Sequence, residues 1–547
     1  MMSSPIRRWS GDTVLVAAVA SAISLFAFLL YFQHGWILLY GDAVAHINIA
    51  RRVFDSKTPG LLQLGTVWLP LPHLLMIPFL LSNAAWESGV GGSIPSLAGY
   101  VFSVTGIYRL VRNALSSPAE PDRGTRLGAL LAAGIFAANP NLIYLQTTAM
   151  TEPLYLAFFI WAVVFYTEFA QATGTPGEEA DSFSSRSLSK CAFCLAGAEA
   201  TRYDGWFLAL VIALATLWVL ARNHRRNRRL GLNKFFLIIA AVPAFWLAYN
   251  AIVYRHPFEF ATGPYSARAI EQKTATPGFP ARPGSHNVVA AAQYFVKSAE
   301  LNLAEGSLQK IWIVLALAGT VVVILFDRRL LPLLLLWVPL AFYILSIAYG
   351  GVPIFVPTWW PFSYYNVRYG VQLLPAFAVF TAVAVYFLCS LARPLPSRIA
   401  IAVLGVALVA ASYTSVWKAQ PVSFREAWVN SRSRIALETE LAANLRKLPP
   451  NSTLLMYLGD HVGALQRAGV PLSHVIQEGN HRTWKQPADP EGLWERALAN
   501  PSSLADFAIG IGDDSVSQSA RKHGLASIVV IETPGQPRAT IYATKLR

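Results

Sequence analysis

From Thr13 to Phe32 the chain runs without a charged residue. At 1.5 Å per residue, an apolar helix of about 20 residues matches the roughly 30 Å hydrocarbon core of a bilayer. Comparable runs recur at 94–112, 127–146, 153–170, 206–220, 235–253, 309–326, 331–349, 370–391 and 399–416, with one more rising into Ala200. They predict a polytopic α-helical membrane protein of about 11 transmembrane helices. Composition agrees: of 547 residues 54% are hydrophobic and only 14% charged, and mean hydropathy is +0.43. The net charge of +14 does not call for nucleic acid, because its cations collect in short loops between the apolar runs. Arg7 and Arg8, Arg109 to Arg126, the stretch Arg222, Arg225, Arg226, Arg228, Arg229 and Lys234, and Arg328 with Arg329 mark the cytoplasmic side. The N-terminus is then cytoplasmic, the first span is an uncleaved anchor without a small-residue cleavage site, and the C-terminus lies outside. A bacterial inner membrane fits this pattern.

The first external loop, 33–93, is the most informative polar stretch. Asp42 follows Gly41 and opens a short amphipathic pattern, with Ala43, Ile47, Ala50 and Phe54 on one face and Asn48, Arg51, Arg52 and Asp55 on the other. A helix this short and charged is expected to rest on the membrane surface, with His46 one turn beyond Asp42 on the same side. Trp68 to His73, with Pro70 and Pro72, then opens a second, dipping helix.

Acids fall where this topology puts outer helix ends: Asp42, Glu152 in Thr-Glu-Pro, and Asp204 after Arg202. In the hydrocarbon such a charge costs roughly 2.5 kcal/mol or more, whereas at a helix end it costs little. Asp42 is open to reading as an N-cap, Glu152 as a first-turn acid favoured by the helix dipole, Asp204 as the partner of Arg202, and His46 and His73 as hydrogen-bonded interface residues. A long external loop, 254–308, holds Tyr265, Arg268 and His286. A second, aromatic loop holds Trp359 and Trp360 and leads to Arg368 and Tyr369. From residue 418 to 547 the composition becomes that of a soluble domain, in which TLLMYL, DFAIGI, ASIVVIE and ATIYATK read as strands between helical stretches, an external α/β domain. Of the three cysteines, Cys191 and Cys194 share one helix face and Cys389 stands apart, with no zinc-site spacing.

Gly41-Asp42, Trp68 to Pro72, Thr151-Glu152-Pro153, Arg202 to Trp206, Asn250 with Tyr254 and His256-Pro257-Phe258, Arg368-Tyr369 and Leu373-Leu374-Pro375 together resemble, in their order, the GT-C superfamily of membrane glycosyltransferases. Within it the pattern looks like that of the protein O-mannosyltransferases and the bacterial lipid A aminoarabinose transferases. The resemblance covers residues 10 to 416 and implies a transmembrane catalytic domain over 1–417. It departs from the pattern at Ala43, where many members carry a second acid, and at Ala45, where some carry an arginine. It implies transfer of a sugar from a polyprenyl-phosphate donor to an acceptor hydroxyl of a protein, glycan or lipid at the outer membrane surface, with inversion. Asp42 is the implied general base and Glu152 the second acid. Arg368, Arg202, Arg51 and Arg52 are candidates for the donor phosphate, and His46, Asp204, Tyr265, Trp359 and Tyr369 for substrate contacts. No cofactor is implied, and no metal, since the external loops carry no Asp-x-Asp pair. Two other classes share the topology. A transporter or flippase of lipid-linked precursors would place polar groups at the bilayer midplane, and a non-catalytic envelope scaffold would leave Asp42 replaceable.

Overall fold

A computed structural model describes residues 11–116, 123–173, 177–222, 231–274, 280–480 and 490–545. Arg7, Arg8, Arg225, Arg226, Arg228 and Arg229, which set the expected orientation, lie outside these residues. Among the described residues 9 helices are long and apolar enough to cross a membrane. The order begins with α1 (Gly11–Gln33), the short α2 (Gly41–Arg52), α3 (Val90–Leu115), α4 (Arg123–Ala137), α5 (Glu152–Thr173) and α6 (Glu178–Glu199). It continues with α7 (Asp204–Arg222), α8 (Leu232–Val253), α9 (Val288–Leu303), α10 (Leu308–Phe326), α11 (Val338–Tyr349), α12 (Leu374–Leu391), α13 (Leu395–Ala419) and α14 (Val422–Leu445).

Helices α3, α5 and α12 form the interior of the bundle, and α5 packs on both α3 and α6. On the periphery, α1, α8 and α13 expose Val14, Phe26, Leu237, Phe245, Val403 and Leu404. Those are the side chains a bilayer would cover, so the chain is a membrane protein. Two expected crossings differ in form. The run 127–146 is a helix that stops at Ala137, and a second short helix, Pro140–Leu145, starts where Asn139 accepts hydrogen bonds from the amides of Asn141 and Leu142. The apolar run rising into Ala200 is the end of a longer helix, α6, which begins at Glu178 and whose first turns are too polar for a hydropathy window to see.

Close approach is bought with small residues. A methyl group on Gly319 of α10 would run into the Phe380 carbonyl of α12. We expect Gly319→Ala to push these helices apart and cost about 1–3 kcal/mol, read as a lower melting temperature in detergent; an unchanged melt would contradict this packing.

Gln420 adopts a left-handed backbone (φ 66) before Pro421, which ends α13 and re-aims α14 over the end of the bundle where α2 lies. Beyond α14 stands a five-stranded sheet of order β2-β1-β3-β5-β4, with β1 (Leu454–Met456), β2 (Val475–Ile476), β3 (Phe507–Ile511), β4 (Ala526–Ile531) and β5 (Ala539–Ala543). Strands β2, β1 and β3 run parallel, and β5 pairs antiparallel with both β3 and β4. The expected strands are present, and β2 joins them.

The structure shows what covers the polar face of α2, which a helix resting on a membrane surface would turn to water: it is buried under the sheet domain. Asn48 donates to Gln466 at 2.8 Å, and Asp55 accepts from the backbone amides of Leu472 and Ser473 at 3.2 and 2.9 Å. Amphipathic spacing reports that one face is polar; it does not report whether water or protein covers it.

Candidate functional site

Four helix starts and one distant helix converge on a single cluster. Asp42 is the second residue of α2. It does not cap the helix, whose N-cap is Tyr40 without a side-chain bond; its carboxylate instead accepts from Arg368 Nη2 at 2.5 Å. Glu152, the first residue of α5, is fully buried between two guanidinium groups, 3.3 Å from Arg368 Nε and 3.3 Å from Arg202 Nη1. Asp204 opens α7, 3.4 Å from Arg202 Nε, and accepts from the Tyr343 hydroxyl at 3.1 Å. Arg202 also donates to Tyr343 at 2.9 Å and to Thr151 at 3.0 Å. Between the arginines the Tyr369 ring lies 5.0 Å from the Arg368 guanidinium and 5.1 Å from that of Arg202, and its π-face offsets part of their mutual repulsion. Gly370 makes this possible, because a Cβ there would strike the backbone of Ser298 and Ala299 on α9.

Glu426 of α14 completes the cluster, and nothing in the sequence pointed to it. It is buried, accepts from Arg368 Nη1 at 2.6 Å, and takes the backbone amides of Asn366 and Arg368 at 3.0 and 3.1 Å. Tyr40, also unforeseen, lays its ring 4.9 Å from the Arg368 guanidinium and donates its hydroxyl to the Ser423 carbonyl at 2.7 Å. Two arginines thus face four carboxylates, an excess of negative charge. Asp42 is the accessible member, its side chain 42% exposed against 6% for Arg368 and 0% for Glu152. Glu152 Oε2 is buried without a hydrogen-bond partner among the described residues. Arg368 is thus engaged by carboxylates on Nε, Nη1 and Nη2, and of these three carboxylates Asp42 is the one that solvent reaches.

Other predicted site residues lie elsewhere. Arg51 is buried and fully engaged, with Asp55 at 2.8 Å, the Leu80 carbonyl at 2.6 Å and Asn83 at 2.7 Å, and it lies over Phe54 and Trp86. Its i,i+4 spacing to Asp55 was the available signal for that role. Arg52 turns toward Gln477 and the Gln63 carbonyl. Tyr265 is half exposed and bonds to Tyr457. Trp359 packs edge-on against Tyr294, ring centroids 5.2 Å apart.

His46 is buried beside the cluster, its Nδ1 2.9 Å from His73 Nε2 and its ring against Trp68. Burial, with the nearby charges of Arg202 and Arg368, pushes its pKa down to about 3, and burial likewise lowers that of His73. A histidine held neutral in the fold but protonated near pH 6.5 when unfolded leaves stability intact above pH 6.5 and erodes it as pH falls toward 3. Between pH 6.5 and 5 that amounts to about 2 kcal/mol for His46. We expect the melting temperature to fall over this window and to fall less in His46→Gln; an equal fall in both would assign the acid sensitivity to other groups.

No protein-family model and no curated protein sequence matches the chain, but solved structures do match its fold. ArnT from Cupriavidus metallidurans, bound to undecaprenyl phosphate, superimposes with a TM-score of 0.57 at 13% identity, covering 95% of this chain and 98% of that one. The archaeal oligosaccharyltransferase AglB from Archaeoglobus fulgidus, in complex with an inhibitory peptide and a dolichol-phosphate, gives 0.52 at 12% identity over 98% of this chain and 74% of that one. The Archaeoglobus fulgidus oligosaccharyltransferase tethered with an acceptor peptide gives 0.52 at 12% identity, over 99% and 74% of the two chains. At these identities the likeness is one of fold, and it spans both the helical bundle and the sheet domain. The chain shares the fold of these solved structures.

Proposed function

We propose that the protein is a glycosyltransferase that takes a sugar from a polyprenyl-phosphate donor and passes it to an acceptor hydroxyl at the outer face of the membrane. One observation carries the reading: Arg368 joins a half-exposed carboxylate, Asp42, to buried acids at one end of a bundle whose fold is shared with proteins solved with undecaprenyl phosphate or a dolichol-phosphate. In the proposed reaction the donor phosphate takes the Nη2 edge of Arg368, where a guanidinium suits a phosphate. Asp42 is released from that edge as the phosphate arrives. It then accepts the proton of the acceptor hydroxyl as the hydroxyl oxygen attacks the anomeric carbon. The bond from that carbon to the phosphate oxygen breaks on the opposite side, inverting the centre, and Arg368 stabilises the leaving charge. Glu152 holds Arg368 and Arg202 in register. Water later removes the proton from Asp42.

A transporter is the competing class. Its charged groups are expected near the midplane, whereas here Asp42, Glu152, Arg202, Asp204 and Arg368 gather at helix ends on one side of the bundle. The test is turnover by the purified chain with a panel of polyprenyl-phosphate sugars and candidate acceptors, scoring released polyprenyl phosphate by mass spectrometry. Release with any donor supports the reading, and none across the panel overturns it.

A further inference from the structure

Helix α14 leads from the last span into the sheet domain, yet it grips both sides of the Asp42–Arg368 pair. On the arginine side Glu426 spends its two carboxylate oxygens on three donors, Arg368 Nη1 and the amides of Asn366 and Arg368. Asn366 sits in a left-handed conformation (φ 55), so these bonds also pin the strained corner from which Arg368 departs. On the other side Arg434 donates to the Leu39 carbonyl at 2.9 Å and is itself held by Glu438 at 2.7 Å. Tyr40, between Leu39 and the start of α2, reaches Ser423. One rigid helix of 24 residues therefore fixes the distance between the two groups.

We propose that α14 is a brace for the anion site and that Glu426 is its positioning residue, holding the Arg368 guanidinium so that its Nη2 edge stays directed at the mouth when Asp42 lets go. This rests on the lipid-phosphate reading above. With Nε on Glu152 and Nη1 on Glu426, Nη2 is the edge left for a ligand. Without Glu426 the side chain can turn about its remaining contact, and the ordered site is lost before the phosphate arrives. The sheet domain then has a consequence for the chemistry: whatever moves it moves Arg368.

The experiment is equilibrium binding of undecaprenyl phosphate, and of dolichol phosphate as a second probe, to the purified full-length chain in detergent well below its melting temperature. Glu426→Gln places an amide N–H against a guanidinium or backbone donor and should weaken binding by about tenfold or more, the usual effect of losing a hydrogen bond to a charged group. The comparison variant is Glu168→Gln, which breaks the half-buried Arg109–Glu168 pair at the opposite end of α5 and should lower the melting temperature with binding unchanged. Glu426→Asp keeps the charge one methylene short and should recover part of the loss; if Glu426→Gln does not fold, a severalfold weakening in Glu426→Asp carries the proposal and unchanged binding overturns it. Equal binding by wild type and Glu426→Gln overturns the brace, as does parallel weakening in Glu168→Gln, which would mean general loosening. If the wild type itself binds neither lipid, the lipid-phosphate reading fails, and the brace with it, before any substitution is compared.

Discussion

Asp42→Asn is expected to lower sugar transfer by about 10²- to 10⁴-fold, the range for removing a general base, while the protein keeps its fold. Asparagine preserves the shape of the side chain and an oxygen that Arg368 can still use, so the loss falls on proton acceptance alone. The substitution is structurally mild, because the Asp42 side chain is 42% exposed and caps no helix. A variant that is inactive and also unfolded would not bear on catalysis, so the melt is measured on the same sample. Retained turnover would leave the glycosyltransferase reading in place and remove Asp42 from its mechanism.

Arg368→Ala is expected to be far more disruptive to stability. Arg368 is buried and bonded to Glu152 and Glu426, both buried, as well as to Asp42. Its removal leaves Glu426 out of water without its cation and Glu152 with Arg202 alone, and breaking a buried pair from one side costs about 3–5 kcal/mol. The melting temperature should drop sharply or the protein should fail to accumulate. Arg368→Met combined with Glu426→Gln and Glu152→Gln removes charge from both sides and should recover much of the stability, since apolar replacement of a buried ionic group is often neutral. That triple variant should remain inactive. Recovery of fold without recovery of transfer would separate the structural work of Arg368 from its work on phosphate; loss of stability equal to that of Arg368→Ala would contradict the charge-balance argument.

The bundle was legible because about 20 apolar residues in a row have one physical use. The cluster was half legible, for a related reason: Asp42, Glu152, Arg202, Asp204 and Arg368 each stand at a helix end, and topology alone brings helix ends together. What could not be read is what lies across from a side chain. Glu426 stands 58 residues beyond Arg368, on a helix whose own periodicity gives no reason for it to reach into the bundle. Arg51 carried a signal in its i,i+4 spacing to Asp55, whereas Arg52 had none, and only the packing of α2 under the sheet domain turns it to Gln477. The first turns of α6, with Glu178, Glu179 and Asp181, fell outside the apolar run rising into Ala200 because hydropathy measures burial in lipid and is silent on helices that extend past it.

In the proposed reaction Asp42 and an incoming phosphate compete for Arg368, and Asp42 serves as base once displaced. The most direct measurement sets binding of undecaprenyl phosphate beside turnover in wild type and Asp42→Asn. Opposite signs are expected: the variant binds the lipid phosphate more tightly, because its neutral amide oxygen competes less well for Arg368 and a negative charge beside it is gone, and it transfers sugar at least a hundredfold more slowly. Weaker binding together with lost turnover would make Asp42 a structural partner of Arg368 and rule out the competition.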